Sequence, residues 1–389
     1  MGGGGGAWRS PAVRGGLAAP APAVVYEDGA VTVDAQRVPV SLWYPAVADA
    51  SPPASGGPST VYPHAVSVAK ISRVLLGLGK WAPRWLDREV PLPAAAGVRS
   101  GVAPAGKVRG GCVLCHGYLG SRFDLADFAE ALAAAGFVVA APEFAEALAD
   151  PETTPRQQRP GTPPPSDPSA SREEIMDATL REVLDGRFDL RPGRDGLALL
   201  GQSAGAGTAL RTPGPFARVA IAGFNPPDPG SVAQDPLLVI ASDGDGVISL
   251  KPREKGRFGP NPGIMAAVDA LPGEVRRYAG SAVGELQRAA EAGSAPQQAF
   301  VAYEGEGSPN HISFLSSRTN DAMIETLSPL LPLATALDIP MLDFDVYAKT
   351  LDSDKVAAEL VPAVVSWLCA VLPDRRKGPE MEGAPAEPE

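Results

Sequence analysis

Histidine and cysteine are both scarce in this sequence, with three of each among 389 residues. Any chemistry that needs an imidazole must therefore use His64, His116 or His311. An odd number of cysteines fits a reducing compartment better than a disulfide framework. Two of them, Cys112 and Cys115, form a C-x-x-C inside the apolar run GGCVLCHG, but no second pair of ligands accompanies them. We predict that both are buried strand residues rather than metal or redox groups.

The sequence also lacks a long apolar run and an excess of basic residues. No uncharged apolar stretch approaches the ~20 residues that span a bilayer, so no transmembrane segment is predicted. The 34 basic and 45 acidic residues give a net charge of -11, which argues against nucleic acid as a partner and against attraction to anionic membranes. The hydrophobic content of 44% is enough for a large buried core, and the chain is predicted to be globular.

Residues 1–23 are predicted to be a disordered lead. They contain arginines and no acid, as organelle transit segments do, but they lack the unbroken apolar core of a secretory signal. An intracellular location, in the cytoplasm or a plastid, is therefore favoured over secretion. We predict one domain over residues 24–372, then a charged, Pro-rich, disordered tail at 373–389. Insertions into this domain are expected at about 46–105, 151–171, 250–296 and 316–352.

Short apolar runs predict the strands of a mostly parallel sheet. The residues around Val31 and the alternating segment VPVSLWYP at 38–45 are expected to pair as a half-exposed antiparallel edge. The later runs are apolar throughout, and a helical pattern from Asp124 to Ala135 separates the first two of them. That strand, helix, strand order indicates parallel pairing. The later runs are GGCVLC, FVVAAP, GLALL, FARVAI, PLLVIAS and QQAFVAY.

Two more helices have recognisable ends or interruptions. Ser171 is expected to cap one helix, with Glu174 three residues later completing a capping box. The last helix is expected to begin near Ser353. It contains Pro362, which should kink the helix or mark its true start.

Residues 196–211, GLALLGQSAGAGTALR, are predicted to form a strand, a tight turn and a helix. The turn has a G-x-S-x-G pattern made by Gly201, Ser203 and Gly205. Such a turn lifts a serine hydroxyl above the sheet, and its glycines let neighbouring backbones pass without Cβ clashes. The first N–H groups of the following helix can stabilise developing negative charge. Because a chain with 43 glycines can contain this pattern by chance, the rest of the sequence must support it.

A nucleophilic serine needs a base to take its proton and an acid to hold that base. The first histidine lies in an early Pro-rich connection, and the second ends a strand. His311 follows the last strand, where a loop can bring it back over Ser203. The acid is then expected between Ser203 and His311 in the chain. Asp243 and Asp245 directly follow the run PLLVIAS, at the carboxyl end of a strand, where open α/β sheets place functional groups.

These segments together resemble an α/β-hydrolase over roughly residues 24–372. The parts VSLWYP, HGYLGSR with GFVVAAPEF, LGQSAGAG, PLLVIASDGDGVI and NHISF are similar to one branch of it, which holds platelet-activating-factor acetylhydrolase-like esterases, chlorophyllases and bacterial polyester hydrolases. The resemblance implies a doubly wound, mostly parallel sheet with helices on both faces and lid-like insertions. It also implies a set of roles without cofactor or metal: Ser203 as nucleophile, His311 as base, and the N–H groups of Tyr118 and Ala204 as oxyanion hole.

One position departs from part of this branch. Acetylhydrolases and chlorophyllases carry their acid after the preceding strand, where this chain reads GFNPPDPG and has Asn225. An uncharged amide cannot stabilise an imidazolium as a carboxylate does. The later segment SDGDGV resembles the acid site of polyester hydrolases and dienelactone-hydrolase-like enzymes. That favours Asp245 as the acid, with Asp228 and Asp243 as alternatives.

Two functions are therefore predicted. The first is a serine carboxylic-ester hydrolase that forms an acyl-enzyme on a small-molecule or lipid ester. Apolar insertions at 66–85 and 325–342 favour an apolar substrate, although core packing explains them nearly as well. The second is a binding protein or pseudoenzyme with a hydrolase fold and no competent acid, which Asn225 favours.

A basic run follows the candidate acid. It is either a solvated loop or a region that attracts an anionic group of the substrate. Its cations are Lys251, Arg253, Lys255 and Arg257.

Overall fold

The computed structural model describes residues 23–46, 60–70, 85, 87–95, 98–100, 107–148, 169–226, 228–232, 234–256, 259–327 and 353–377. The strands in these residues are β1 (Val24–Val33), β2 (Gln36–Pro45), β3 (Val61–Tyr62), β4 (Ala65–Val66), β5 (Arg88–Glu89), β6 (Leu92–Pro93), β7 (Val98–Ser100), β8 (Gly110–Cys115), β9 (Phe137–Pro142), β10 (Leu197–Gln202), β11 (Ala217–Ile221), β12 (Leu237–Ser242), β13 (Arg253–Gly256), β14 (Gly259–Asn261), β15 (Arg276–Ala279) and β16 (Gln298–Tyr303).

The helices of the described residues fall between and after these strands. They are α1 (Ala126–Ala134), α2 (Arg172–Ala178), α3 (Gly186–Phe188), α4 (Ala204–Arg211), α5 (Pro229–Val232), α6 (Ile264–Asp269), α7 (Val283–Glu291), α8 (Ser317–Leu327) and α9 (Ser353–Val371). A π-helical segment, Thr179–Asp185, joins α2 to α3, and short 3-10 turns lie at Gly280–Ala282 and Arg375–Lys377.

One ten-stranded sheet has the order β15-β16-β12-β11-β10-β8-β9-β2-β1-β7. From β15 to β9 in this order, each strand is parallel to its neighbour. β2 is antiparallel to both β9 and β1, and β7 adds a parallel edge strand beside β1. This arrangement is the α/β-hydrolase fold, which confirms the prediction of a doubly wound, mostly parallel sheet.

The strand order also explains where a site can form. After β8 the chain passes to β9 on one side of β8 and returns at β10 on the other side. The loops that leave β8 and β10 therefore meet at the carboxyl edge of the sheet. A reversal of this kind opens a crevice, which is where open α/β sheets bind ligands.

Helices cover both faces of the sheet, because the buried strands alternate their side chains between two cores. On β8, Cys112 and Leu114 face the core that holds α1 and α9. Val113 and Cys115 face the opposite core, which holds α2 and the π-helical segment. Both β8 cysteines are buried in the strand, as predicted.

Two sequence predictions about local structure are confirmed. Ser171 and Glu174 form a reciprocal capping box at the start of α2. The last helix begins at Ser353, and Pro362 lies inside it rather than at its start. Most of the apolar insertions expected at 66–85 and 325–342 lies outside the described residues.

The expected edge pair and the expected insertion at 250–296 differ from the structure. β1 and β2 are antiparallel, but they are not an edge, since β9 covers one side of the pair and β7 the other. Within 250–296, β15 joins the central sheet beside β16. Only Tyr278 is buried among its four residues, and so this strand lacks the apolar run that would reveal it in sequence.

Residues just beyond the predicted boundary at 372 contact the described part of the domain. Asp374 lies beyond residue 372 but accepts a hydrogen bond from Arg109, at 3.0 Å. Arg375 donates to Asp189, also at 3.0 Å. Ion pairs between charged side chains thus tie the first residues of the predicted tail to the domain.

Candidate active site

Ser203 occupies the turn between β10 and α4, with backbone angles φ 56 and ψ -122. This positive φ is uncommon for a residue with a side chain and is typical of a strained turn. The flanking glycines are required by packing. A Cβ on Gly201 would lie 2.1 Å from the carbonyl oxygen of Gly205, and one on Gly205 would lie 1.9 Å from that of Cys115.

The structure brings Ser203, His311 and Asp245 into one hydrogen-bonded chain. The Ser203 Oγ lies 2.9 Å from the His311 Nε2, and the His311 Nδ1 lies 2.8 Å from the Asp245 Oδ2. A carboxylate only accepts, and so the His311 Nδ1 carries the proton and donates it to Asp245. The Nε2 then accepts a hydrogen bond from the serine hydroxyl. This is the tautomer that a general base needs.

Asp245 is fully buried and held in a fixed orientation. Its Oδ1 accepts hydrogen bonds from the peptide N–H groups of Val247 and Ile248, both at 2.8 Å. The other oxygen, Oδ2, is left to face His311. Both oxygens therefore have partners, as a buried carboxylate requires.

The loop that carries His311 is fastened to the strands on either side of it. Gln202 donates from Nε2 to the carbonyl oxygen of His311 at 3.0 Å, and Ser242 donates from Oγ to that of Pro309 at 2.5 Å. Asn310, which the sequence analysis missed, shapes the loop from within. Its Oδ1 accepts the N–H groups of Ile312 and Ser313. An asparagine followed by two residues that turn back on it is the signal that could have identified it.

The two alternative acids lie elsewhere. The Asp243 carboxylate accepts a hydrogen bond from Lys251 at 3.1 Å. Asp228 is exposed and accepts from the N–H of Gly230. Asn225 is exposed on the wall of the cavity described below.

The other two histidines have different surroundings. The His116 Nδ1 donates to the carbonyl oxygen of Gly117 at 2.7 Å, and its Nε2 accepts the N–H of Phe144 at 3.0 Å. Burial, and next the Arg172 guanidinium, hold the pKa of His116 well below its usual value, so the ring stays neutral. Burial also lowers the pKa of His64 to about 4.

The loop expected to form the oxyanion hole passes beside the serine. A Cβ on Gly117 would lie 3.3 Å from the Cβ of Ser203 and 2.6 Å from the Oε1 of Gln202. Tyr118 follows directly, and both Tyr118 and Ala204 line the same cavity as Ser203. Leu119 then turns the chain with a φ of 57.

A cavity of about 1010 Å³ opens above Ser203. Its lining is mixed in character. The larger apolar side chains are Tyr118, Phe224, Pro226, Ile248 and Ile264, and the polar ones are Glu146, Ser171, Arg172, Glu173, Arg211 and Asn225. The sequence analysis identified neither arginine, because both lie on helices whose faces only the tertiary structure brings to the site.

Of the basic run, neither Lys251 nor Arg253 lines this cavity. Lys251 pairs with Asp243, and Arg253 donates from Nη2 to the carbonyl oxygen of Asp243 at 2.9 Å. The backbone of Lys255 lies in β13, whereas Arg257 is outside the described residues.

The described residues contain neither a metal-binding cluster nor a membrane-spanning helix. No group of three or more His, Cys, Asp or Glu side chains in that part of the chain is placed to hold a metal ion. Among the helices of the same residues, none is long and apolar enough to cross a membrane.

Comparison with known proteins gives only distant likenesses. No protein-family model and no curated protein sequence matches the chain. It is similar to a ferulic acid esterase from Streptomyces cinnamoneus, with 18% identity and a TM-score of 0.42, over 98% of this chain and 95% of that one. It is also similar to a cold-adapted esterase from an Arctic intertidal metagenomic library, with 12% identity and a TM-score of 0.38, over 80% and 93%. At these TM-scores the fold assignment rests on the strand order.

Proposed function

We propose that this protein is a serine hydrolase that cleaves carboxylic esters through an acyl-enzyme. The observation that carries the proposal is the hydrogen-bonded chain from Asp245 through His311 to Ser203. A serine hydroxyl is a weak nucleophile unless an adjacent base takes its proton, and a neutral imidazole with its Nδ1 proton held by a carboxylate is such a base.

In the first half of the reaction, the Ser203 Oγ attacks the ester carbonyl carbon while its proton passes to the His311 Nε2. The carbonyl π electrons move to the oxygen, and a tetrahedral oxyanion forms. When the carbon–oxygen double bond re-forms, the bond to the alcohol oxygen breaks. The alcohol leaves with the proton from His311, and the acyl group stays on Ser203.

In the second half, a water molecule takes the place of the alcohol. His311 removes one of its protons as the water oxygen attacks the acyl carbon. Collapse of the second oxyanion breaks the bond to Ser203, whose Oγ recovers the proton from His311. The products are one carboxylic acid and one alcohol, and the enzyme is regenerated.

The oxyanion needs donors that are aimed at it before the charge develops. We assign this role to the peptide N–H groups of Tyr118 and Ala204, which belong to residues lining the cavity at Ser203. Ala204 is the first residue of α4, so its N–H also lies at the positive end of the helix dipole.

The substrate is proposed to be a small or medium-sized ester with an apolar part. Aromatic and branched side chains such as Phe224, Ile248 and Ile264 give the cavity apolar surface. Charged groups share the wall, so the substrate is not a bare hydrocarbon ester. The relation to acetylhydrolases, chlorophyllases and polyester hydrolases remains part of this proposal.

A binding protein without a competent acid is the second candidate. That reading depends on Asn225, which lies on the exposed cavity wall, while Asp245 lies against the histidine. Because the buried Asp245 carboxylate accepts a hydrogen bond from the Nδ1–H of His311, we favour the enzyme.

The test is hydrolysis of p-nitrophenyl esters of increasing acyl length by the wild type, Ser203→Ala and His311→Ala. We expect turnover by the wild type and a loss of about 10⁵-fold or more in both variants, since the two residues act as one unit. Ser231→Ala is the control, because this serine is exposed and bonds only locally to Asp228. Turnover within tenfold of wild type in Ser203→Ala would refute the assignment of Ser203 as nucleophile. An inactive wild type would favour the binding protein.

A further inference from the structure

Arg172 is the first residue of α2, directly after the capping serine, and its largely buried side chain reaches the wall of the cavity. Its guanidinium contacts the loop after β8 and helix α4. The Nη1 and Nη2 both donate to the carbonyl oxygen of His116 at 3.0 Å, and the Nη2 also donates to that of Gly117 at 3.3 Å. The Nη1 further contacts the Thr208 Oγ1 on α4 at 3.1 Å.

The charge of this guanidinium is already paired with a carboxylate. Arg172 donates from Nε to the Oε1 of Glu146 at 2.5 Å and forms an ion pair with it. Its guanidinium also lies over the Phe144 ring, 4.1 Å from the centroid. With its donors directed at protein oxygens and its charge paired, Arg172 is poorly suited to bind an anionic substrate group. Its contacts point instead to the loop between β8 and α1.

The carbonyl oxygen of Gly117 is fixed by three donors: the His116 Nδ1 at 2.7 Å, the Gly120 N–H at 3.2 Å and the Arg172 Nη2 at 3.3 Å. A peptide unit is planar and trans, so its C=O and the next N–H point in opposite directions. The next N–H belongs to Tyr118. Holding the Gly117 carbonyl therefore fixes the direction in which the Tyr118 N–H points.

We propose that Arg172 is a positioning residue for the oxyanion hole: it holds the Gly117–Tyr118 peptide so that the Tyr118 N–H faces the reacting carbonyl oxygen. This inference rests on the proposed ester hydrolysis. Arg172 touches no reacting atom and acts through the peptide alone. The neutral His116 ring shares the task from the same side of the peptide, and Thr208 ties the guanidinium to the helix that begins at the nucleophile.

The test compares Arg172→Ala and Arg172→Lys with the wild type on a matched pair of substrates, p-nitrophenyl butyrate and its thiono analogue. In the thiono ester a sulfur replaces the carbonyl oxygen. Sulfur accepts hydrogen bonds weakly and sits farther from the carbon, so an oxyanion hole favours the oxygen ester. The ratio of kcat/KM for the two esters therefore reports the hole itself. Arg181→Ala is the control, because this arginine lies on the π-helical segment that follows α2, is exposed and pairs with Asp177.

We expect Arg172→Ala to lower kcat on the oxygen ester by roughly 10 to 10³-fold, up to the cost of losing one oxyanion donor, with KM within about threefold. The oxygen-to-sulfur ratio should fall by a similar factor. Arg172→Lys keeps the charge beside Glu146 but loses the forked contact to two carbonyl groups, so it should fall between Ala and wild type. Arg181→Ala should keep the wild-type ratio.

A purely structural role predicts a different result. If Arg172→Ala loses activity equally on both esters, or keeps kcat, the positioning role is refuted. Thermal unfolding accompanies each assay. If Arg172→Ala fails to fold, the ratio of kcat/KM for the oxygen and thiono esters is measured in Arg172→Lys instead. An unchanged ratio in that folded variant overturns the inference. Failure of the proposed function is distinguishable, because then the wild type is inactive or Ser203→Ala stays active, whatever the Arg172 variants do.

Discussion

β11 and β12 are adjacent parallel strands, and each is followed by a loop that carries a candidate for the acid position. After β11 the chain has Asn225, exposed on the cavity wall. After β12 it has Asp245, which is fully buried and bonded to His311. The two loops differ mainly in their position relative to the loop that carries His311. A carboxylate can orient a histidine only where the histidine loop crosses the strand end.

The crossing at β12 depends on close backbone contact. A Cβ on Gly244 would lie 2.2 Å from the carbonyl oxygen of Ser308 and 2.7 Å from that of Pro309. Ser242 ties the same two loops together through its hydrogen bond to Pro309. The histidine loop is thus fastened over the end of β12, and this supports Asp245, rather than a residue after β11, as the proposed acid.

The largest expected effect comes from removing the acid after β12. Asp245→Asn should lower kcat/KM by about 10³ to 10⁴-fold, because the amide turns a donor toward the Nδ1 and favours the wrong tautomer of His311. Asp228→Asn, in an exposed loop after β11, is the matched control and should be nearly silent. A reversed order of the two effects, measured by ester hydrolysis, would place the acid after β11.

The next largest effect should come from separating the two loops. Gly244→Ala inserts a methyl group where no space exists, so we expect about 1–3 kcal/mol of destabilisation and a loss of activity as His311 moves from Asp245. Gly284→Ala is the control, since its nearest neighbour would be a flexible arginine atom at 3.5 Å in an ordinary helix. Denaturant unfolding and ester hydrolysis measure both. Wild-type stability and wild-type activity of Gly244→Ala would contradict the close contact between the β12 loop and the His311 loop.

A double variant sharpens the comparison by moving the carboxylate. Asp245→Asn combined with Asn225→Asp places an acid after β11, at an exposed position. We expect its kcat/KM to stay within about tenfold of Asp245→Asn alone, because an exposed carboxylate outside the crossing cannot orient the ring. Recovery to near wild-type activity would show that a carboxylate after either β11 or β12 can orient His311, which would contradict the difference proposed between the two loops.

The smallest effect is expected from the basic residues beside the β12 loop. Arg253→Glu should change kcat/KM by less than about threefold on a neutral and on an anionic ester of equal acyl length, since this side chain is exposed and does not line the cavity. Arg253 contacts the backbone of Asp243 rather than the cavity. A loss confined to the anionic ester and abolished by high salt would instead show that this loop steers substrates.

Much of the fold could be predicted because its signals are local. The apolar runs identify the buried parallel strands, and the capping box at Ser171 marks the start of α2. β15 could not be predicted, since a four-residue strand with one buried side chain has no apolar pattern. The interior position of β1 depends on β7, a strand of only three residues.

Some residues of the candidate site could likewise be predicted from local sequence signals, and others could not. Ser203 lies in a turn whose glycines are forced by neighbouring backbone, so its pattern is readable in sequence. His311 follows from the scarcity of histidine and from chain order. Choosing between the acids depended on a resemblance, because both strand ends carry polar residues. Arg172 could not be identified from the sequence, since its contacts with the loop after β8 exist only in the folded chain.

The most direct test of the central claim is labelling with a fluorophosphonate, followed by intact mass measurement and peptide mapping. We predict one adduct per chain, on Ser203, with labelling strongly slowed in Asp245→Asn and nearly unchanged in Asp228→Asn. The reagent reacts only with an activated serine, so the site and the rate report the nucleophile and its activation together. An unlabelled wild type, an adduct on another residue, or wild-type labelling of Asp245→Asn would contradict the account.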